Sequence, residues 1–341
     1  MKVCVSAQHR QMLDQVLATF HITPDFDLDA MLPGQTLTQS TTRILTALEP
    51  VFIQVKPDLA VVQGDTTTTM CGALAAFYSG VSVAHVEAGL RTWDLHQPFP
   101  EELNRVLTGR LAQLHFAATQ GAADNLEREG ISAQVWVTGN TGIDALLYVR
   151  DGLERGSIQA GGARFDVPGK RLVLVTAHRR ESFGPGFERI CQALSKIAAR
   201  GDVQIVYPVH PNPNVQSVVN QYLSANSAIT LTAPLDYVPF VDLMRQSYLI
   251  LTDSGGVQEE GPSLGKPILV LREKTERPEA VIAGTVKLVG TDIARIVEET
   301  TRLLDDAAEY ERRTHRHNPY GDGHACERIE TACRRFFEMP A

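Results

Sequence analysis

Three short stretches in the first half of this sequence carry acids at the edges of strand-like or helical patterns, two of them beside glycines. Gln63-Gly64-Asp65-Thr66-Thr67-Thr68-Thr69 supplies Asp65, which is either a helix cap, a place Asp favours, or a working carboxylate. His85-Val86-Glu87-Ala88-Gly89-Leu90-Arg91 sets Glu87 just past the next apolar run, beside a glycine that lets a ligand approach. Pro98-Phe99-Pro100-Glu101-Glu102-Leu103-Asn104-Arg105 offers paired acids before a helix; such acids also occur simply because a helix start favours negative charge. Carboxylates so placed are suited to general acid and base chemistry.

The second half supplies groups for an anion. Thr176-Ala177-His178-Arg179-Arg180-Glu181 follows an apolar run with an imidazole and two guanidinium groups. Thr252-Asp253-Ser254-Gly255-Gly256-Val257-Gln258-Glu259-Glu260 reads as strand, glycine turn and helix. Ser254, Gly255 and Gly256 would aim backbone N–H groups at a phosphate, with Glu260 one turn in, near a sugar hydroxyl. Glu276-Arg277-Pro278-Glu279 adds an arginine beside a helix start. Carboxylates from one half and phosphate-binding groups from the other form the layout of an enzyme acting on a nucleotide-sugar.

Other patterns carry less. The alternating acids of Asp25-Phe26-Asp27-Leu28-Asp29 suggest a calcium loop, but Ala30 and Thr36 stand where that loop needs Gly and Glu, so a solvated turn is expected. Gly184-Pro185-Gly186 lacks the third glycine of a dinucleotide fingerprint. His315 and His317 sit in a polar segment near the C-terminus. The five cysteines (Cys4, Cys71, Cys191, Cys326, Cys333) never form a C-x-x-C pair; they read as small buried hydrophobes in a reducing cytoplasm.

These motifs need rigid supports, and strand-like runs alternate with helical patterns along the chain. Strands are expected at 2–6, 59–62, 81–86, 172–176, 203–206, 229–231, 249–252 and 267–271. Helices are expected at 11–20, 37–56, 67–78, 186–199, 237–245, 257–264 and 293–304. Alternation of this kind predicts parallel sheets covered by helices on both faces. With 341 residues, two domains are expected: residues 1–150 with the carboxylates, a Gly-rich polar linker at 151–169, and 170–320 with the anion-binding groups. A C-terminal helix at 321–341 would pack back on the first domain. Ligands of such open sheets bind at the strand C-terminal ends, in the crevice between domains. The formal charge of −8 argues against nucleic acid as a partner. No apolar run approaches the roughly 20 residues needed to cross a bilayer, and the opening MKVCVSAQHR does not read as a signal peptide.

The chain resembles the bacterial non-hydrolysing UDP-N-acetylglucosamine 2-epimerases. The matching blocks are SAQHRQMLDQVL, QGDTTTT, HVEAGLRT, PFPEELNR, TGNTGIDAL, TAHRRESFG, YPVHPNPNV, LTDSGGVQEEGPSLGKP, ERPEA, GTVKLVG and NPYGDG, which together span nearly the whole chain. The resemblance implies a two-domain glycosyltransferase-B type fold and interconversion of UDP-GlcNAc and UDP-ManNAc for surface polysaccharide. The proton on C2 of the sugar is not acidic enough for direct removal, so UDP is expelled from C1 as 2-acetamidoglucal forms, then adds back. Asp65, Glu87 and Glu101 would perform the acid and base steps on the two faces. His178 and Arg179 would lie at the diphosphate leaving group, with Ser254, Gly255 and Gly256 on the phosphates. Glu260 would reach the ribose, Phe240 the uracil, and Arg277 the sugar or phosphates. Gln8, His9, Gln11, Gln35 and His210 match positions of a second UDP-GlcNAc site that activates some relatives, and are otherwise ordinary surface polar residues. No metal or nicotinamide cofactor is expected, and a cytoplasmic homodimer is.

One block departs from the pattern. Family members begin with a strand, a Gly-Thr-Arg-Pro-Glu turn and a helix carrying a lysine, before the segment that is 2–6 here. One βα unit of this kind is on the order of 30 residues, and its absence would cost the cleft two cations and leave the sheet with an open edge or gap. Two explanations compete, a start at an internal Met of a longer product, which the presence of every other motif favours, and a truncated paralogue. The competing functions are a UDP-sugar-binding pseudoenzyme disabled by the missing block and, separately, a glycosyltransferase of the same fold.

Overall fold

The computed structural model describes every residue except 9, 162–164, 166, 180, 181 and 339–341, and the side chains of Gln11 and Met12. The chain divides into two compact units, Met1–Thr141 with Gly323–Ala341, and Gly142–Asp322. The expected 150/151 boundary differs from this division. Helix α6 (below) runs to Arg155, carried by buried Ile143, Leu146, Val149 and Gly152 at helical spacing, so residues 151–155 are helix rather than linker.

The first unit contains β1 (Cys4–Val5), α1 (Arg10–Thr19), β2 (Phe26–Asp27), α2 (Leu37–Val55), β3 (Leu59–Gln63), α3 (Thr67–Tyr78), β4 (Ser82–Ala88), α4 (Glu101–Leu111), β5 (Leu114–Ala117), α5 (Gln120–Arg128) and β6 (Val135–Val137); α6 (Thr141–Arg155) starts at the division. Helix α2 opens on a reciprocal cap in which Gln39 N donates to Thr36 Oγ1 and Thr36 N donates to Gln39 Oε1. Along β4, Val83 packs with Ala73 and Ala76 of α3, while Ala84 and Val86 pack with Leu114, Phe116 and the C-terminal helix. That alternation follows from the two-residue period of a strand.

Two separate parallel ladders run through this unit: β1 with β2, and β3-β4-β5-β6. Among the described residues β3 pairs only with β4, and β1 only with β2. Both line a groove of about 910 Å³ whose walls include Val3, Cys4, Leu59, Val61 and Phe337. The strand expected at 2–6 is limited to the two residues of β1, Cys4–Val5. The acids of the expected turn at 25–29 are engaged in ion pairs: Asp25 with Lys2, and Asp27 and Asp29 with Arg10.

The second unit contains β7 (Arg171–Thr176), α7 (Pro185–Ala198), β8 (Val203–Pro208), α8 (Pro213–Leu223), β9 (Ile229–Thr232), α9 (Tyr237–Gln246), β10 (Leu249–Thr252), α10 (Gly255–Glu260), β11 (Ile268–Val270), α11 (Pro278–Ala283), β12 (Val286–Leu288), α12 (Ile293–Asp305) and α13 (Ala307–Thr314). The helix expected at 257–264 divides into α10 and a 3₁₀ turn at Gly261–Leu264. All six strands are parallel, in the order β12-β11-β10-β7-β8-β9. The apolar strands are buried together with Phe187, Ile190, Leu194 and Ile197 of α7. The chain runs outward from β7 through β8 to β9, then returns to place β10 on the other side of β7. That reversal is where doubly wound sheets open a binding crevice. Helix α14 (Ala325–Glu338) then rejoins the first unit, seating Ile329, Ala332, Cys333 and Phe336 on its sheet.

Cys71 and Cys191 are buried as expected, but Cys4 and Cys326 are exposed and Cys333 is half-buried; all five are free thiols. Among the described residues no helix is long and apolar enough to cross a membrane, and no group of three His, Cys, Asp or Glu could hold a metal ion.

Candidate functional site

In the first unit the three carboxylates rest on three different elements. Asp65 follows β3, but Thr66 caps α3, its hydroxyl accepting from Thr69 N at 3.3 Å. The Asp65 carboxylate is thus released from capping, and its Oδ2 accepts from Arg105 Nη2 at 2.9 Å. Its backbone is fixed too, since Asn104 Nδ2 donates to Asp65 O at 2.9 Å. Glu87 sits in β4 at φ +61°, a left-handed conformation uncommon for a residue with a side chain. The ladder between β4 and β5 is irregular there, between Val86 and Ala88. Irregularities of this kind re-aim a side chain at the end of a strand. The neighbouring loop makes room: Gly64 has φ +73°, and a Cβ on it would lie 3.3 Å from Glu87 Oε2.

Glu101 is the half-buried first residue of α4. Asn104 and Arg105 follow it at i+3 and i+4, so all three occupy one face of the helix. That face meets Asp65. The expected pair of first-turn acids is divided in function. Glu102 is 1% exposed, and its Oε1 accepts from Thr92 N and Trp93 N, both at 3.0 Å. It is a buried support, whereas Glu101 is accessible to chemistry. Gly64 thus lies between the Asp65 turn and the Glu87 carboxylate, and Glu101 shares the α4 face whose Asn104 and Arg105 hold Asp65. His85 holds that turn from beneath, its Nε2–H donating to Gly64 O at 2.8 Å.

The second unit gathers its groups at the reversal of strand order. Asp253, fully buried at the end of β10, accepts on Oδ2 from His178 N at 2.6 Å and Arg179 N at 2.7 Å. Thr176 and Thr252 join the two strands by a hydroxyl bond of 2.6 Å. These contacts fix the segment after β7 beside α10. Burial holds the His178 imidazole below its ordinary pKa against the pull of Asp253, with His210 and Arg179 adding to the depression.

Gly255 lies between two guanidinium groups: a Cβ there would be 3.6 Å from Arg277 Nη2 and 3.9 Å from Arg179 Nη2. Gly256 beside it faces open space and is exposed. Arg277 is clamped by the buried Glu259, and its N–H donates to Thr275 Oγ1, which in turn donates to Gln258 Oε1 at 2.6 Å. Two cations beside glycine amides at a helix start form a seat for a polyanion such as a diphosphate. Glu260 closes α10; burial, and then Glu259, push its carboxyl up to about 7. Phe240 is half-buried on α9.

The second-site residues are divided between the units: Gln8 and Gln35 belong to the first, His210 to the second. Gln8 accepts from Thr68 Oγ1 at 3.1 Å, while Gln35 contacts Met31 Sδ just before α2. His210 belongs to the second unit and stacks on His178. His9, the side chain of Gln11, and Arg180 and Glu181 lie outside the described residues.

Sequence alone assigns no role to Asp253, Asn104, Arg105, Gln258 or Glu259, and offers Glu102 only as one of two paired acids. For Asn104 and Arg105 the signal existed, as helical spacing from Glu101. Asp253 had none, because a strand-end acid that folds back on the neighbouring strand looks like any turn residue.

The profile described as UDP-N-acetylglucosamine 2-epimerase matches residues 1–334. A UDP-N-acetylglucosamine 2-epimerase of Escherichia coli strain K12 is 58% identical over 339 residues, covering 98% of this chain and 90% of that protein. A UDP-N-acetylglucosamine 2-epimerase of Salmonella typhimurium is 58% identical over 341 residues, covering 98% of this chain and 91% of its own length. The crystal structure of a UDP-GlcNAc 2-epimerase from Neisseria meningitidis, bound to UDP-GlcNAc, superposes with a TM-score of 0.89 at 47% identity, covering 98% of this chain and 91% of that one.

Proposed function

The chain belongs to the UDP-N-acetylglucosamine 2-epimerase family, and from that premise we propose that it interconverts UDP-GlcNAc and UDP-ManNAc. The observation that supports the reading is the closeness of the Asp65 turn to Glu87 across Gly64, with Glu87 held at a left-handed φ at the end of its strand and Asp65 held by the helix that Glu101 begins. Backbone in that conformation costs on the order of 1 kcal/mol and persists where surrounding structure enforces it.

The reaction needs a base on one face of C2 and an acid on the other. As the C1–O bond to UDP breaks, a carboxylate takes the C2 proton, leaving 2-acetamidoglucal. UDP then re-forms the bond to C1 while a second carboxyl delivers a proton to the opposite face of C2. Positive charge developing at C1 favours the anionic carboxylates around it. The diphosphate, as leaving group, suits the seat of Arg179, Arg277 and the amides near Ser254, Gly255 and Gly256. His178 would lie beside it, Glu260 toward the ribose and Phe240 toward the uracil. Gln8, His9, Gln11, Gln35 and His210 would serve a second, activating molecule of UDP-GlcNAc. Family likeness also supports a cytoplasmic homodimer whose product feeds ManNAc-containing surface polysaccharide; sedimentation equilibrium tests the dimer.

Incubation with UDP-GlcNAc in D₂O tests the chemistry. Deuterium at C2 together with UDP-ManNAc is the expected result. Binding without exchange would mean a pseudoenzyme, and transfer of the sugar to an acceptor a glycosyltransferase. Exchange should collapse in Asp65→Asn, Glu87→Gln and Glu101→Gln; near-normal rates in all three would refute the site.

A further inference from the structure

Arg105 is one of the most enclosed cations of the first unit, and it spans two carboxylates. Its side chain is 10% exposed, with Nη2 2.9 Å from Asp65 Oδ2 and Nη1 3.2 Å from Glu102 Oε2. Glu102 is itself immobilised, since its other oxygen accepts the backbone N–H groups of Thr92 and Trp93. The order of support therefore runs from the loop at 92–93 to Glu102, to Arg105, to Asp65. Asn104, one residue earlier on the same helix, ties the Asp65 carbonyl at 2.9 Å. Main chain and side chain of Asp65 are each held by α4, the helix whose first residue is Glu101.

We propose that Arg105 is a positioning residue for the reaction, holding the Asp65 carboxylate in one orientation toward the sugar while Glu102 orients Arg105. The inference rests on the epimerase reading, because it gives Asp65 a proton to move. A guanidinium suits the task, since its planar fork reaches two carboxylates at once from a fixed position, whereas an ammonium is a point charge that favours one of them. One oxygen of Asp65 is engaged by Arg105, and orienting it leaves the other as the oxygen that meets the sugar. Rotation of the carboxylate would move that oxygen off the C2–H direction, and a displacement near 1 Å costs on the order of 100-fold in rate. Arg105 touches no substrate in this scheme, so its loss should fall on kcat and not on binding.

The experiment begins with deuterium exchange at C2 by the wild-type chain. No exchange there refutes the epimerase reading itself and, with it, this proposal. With the wild type active, kcat, KM for UDP-GlcNAc and Tm are measured for Arg105→Lys, Arg105→Gln, Asp65→Asn and the double variant Arg105→Gln/Asp65→Asn. Arg105→Lys keeps a cation beside Glu102 and tests the idea in a chain that retains its buried pair. Expected are a kcat about 10-fold down in Arg105→Lys and about 100-fold down in Arg105→Gln, with KM within about two-fold of wild type. The double variant should be no slower than Asp65→Asn alone, because Arg105 acts through Asp65. A structural role would instead give multiplied losses that follow a fall in Tm. Multiplied losses, or a kcat unchanged in Arg105→Lys and Arg105→Gln, would overturn the proposal.

Discussion

The imidazole of His178 lies stacked on that of His210, ring centroids 5.1 Å apart and planes 12° from parallel. The two rings follow β7 and β8, adjacent strands of the second unit, at the end where the order reverses. His210 shields His178 from water on one face, and burial is the largest cause of the lowered pKa of His178. A protonated His210 would also repel a proton on His178. Asp253, 3.6 Å away, pulls in the other direction.

His210→Ala should therefore raise the pKa of His178 toward its ordinary 6.5, since it removes both a shield and a like charge while Asp253 stays. An NMR titration of the His178 ring reads this directly. A downward shift, or none, would show that His210 does not set the state of His178.

Two other histidines make the first unit sensitive to acid. Burial pushes His85 and His115 each down to about 4, against the backbone carbonyls of Gly64 and Ala112. In the unfolded chain each takes a proton near 6.5, so stability is full above that value and falls as pH drops toward 4. Each contributes a slope of about 1.4 kcal/mol per pH unit in that window. The raised Glu260 of the second unit acts in the opposite sense, so the useful comparison is between wild type and His115→Gln. Urea unfolding of the variant between pH 6.5 and 5 should lose close to one proton's worth of slope. Equal slopes would mean that His115 is protonated in the fold.

Much of this arrangement can be read from sequence where local pattern decides it. Helix α3 occupies 67–78 as its spacing requires, and β10 fills 249–252 as an uninterrupted apolar run between α/β neighbours should. Lys2–Asp25 and Arg10–Asp27 contacts, by contrast, join segments more than fifteen residues apart. No local rule shows that acids at 25–29 pair with those cations, or that β2 lies among them. The division at Thr141 is hidden for a related reason. Composition softens after 151, but long-range packing within each unit decides the boundary. In the site, residue types with exposed chemistry were visible: Asp65, Glu87, His178 and Arg277. The supporting roles of Glu102 and Asp253 are not legible from sequence, and helical spacing marks Arg105 only as a neighbour of Glu101, because a buried charge is acceptable only through tertiary partners that a linear pattern cannot specify.

In the proposed reading, the two guanidinium groups beside Gly255 hold the diphosphate and give the second unit a separable role. Each charge-assisted contact to a phosphate is worth about 1.5–3 kcal/mol, so Arg179→Ala or Arg277→Ala should weaken UDP binding by about 10- to 100-fold in titration calorimetry. Arg277→Ala also removes the ion pair to the buried Glu259, and a lowered Tm should accompany it. Arg179→Ala should lower affinity with a smaller change in Tm. Unchanged UDP affinity in both variants would remove the anion seat from the site.

Gly64 separates the Asp65 turn from Glu87, and its replacement tests whether their spacing matters. At φ +73° alanine is strained, and its Cβ would come within 3.3 Å of Glu87 Oε2, an approach tighter than ordinary van der Waals contact. The backbone term alone costs about 1 kcal/mol. To relieve the contact, either the Glu87 carboxylate swings outward or the turn carrying Asp65 shifts, because His85 holds Gly64 O from beneath. Either motion separates two of the three carboxylates. Gly64→Ala should therefore fold with a Tm lowered by a few degrees, bind UDP with near-normal affinity because the groups proposed to hold the diphosphate belong to the other unit, and lose C2 exchange by about 100-fold. A variant that exchanges at the wild-type rate would show that the close approach of Gly64 to Glu87 has no part in the chemistry.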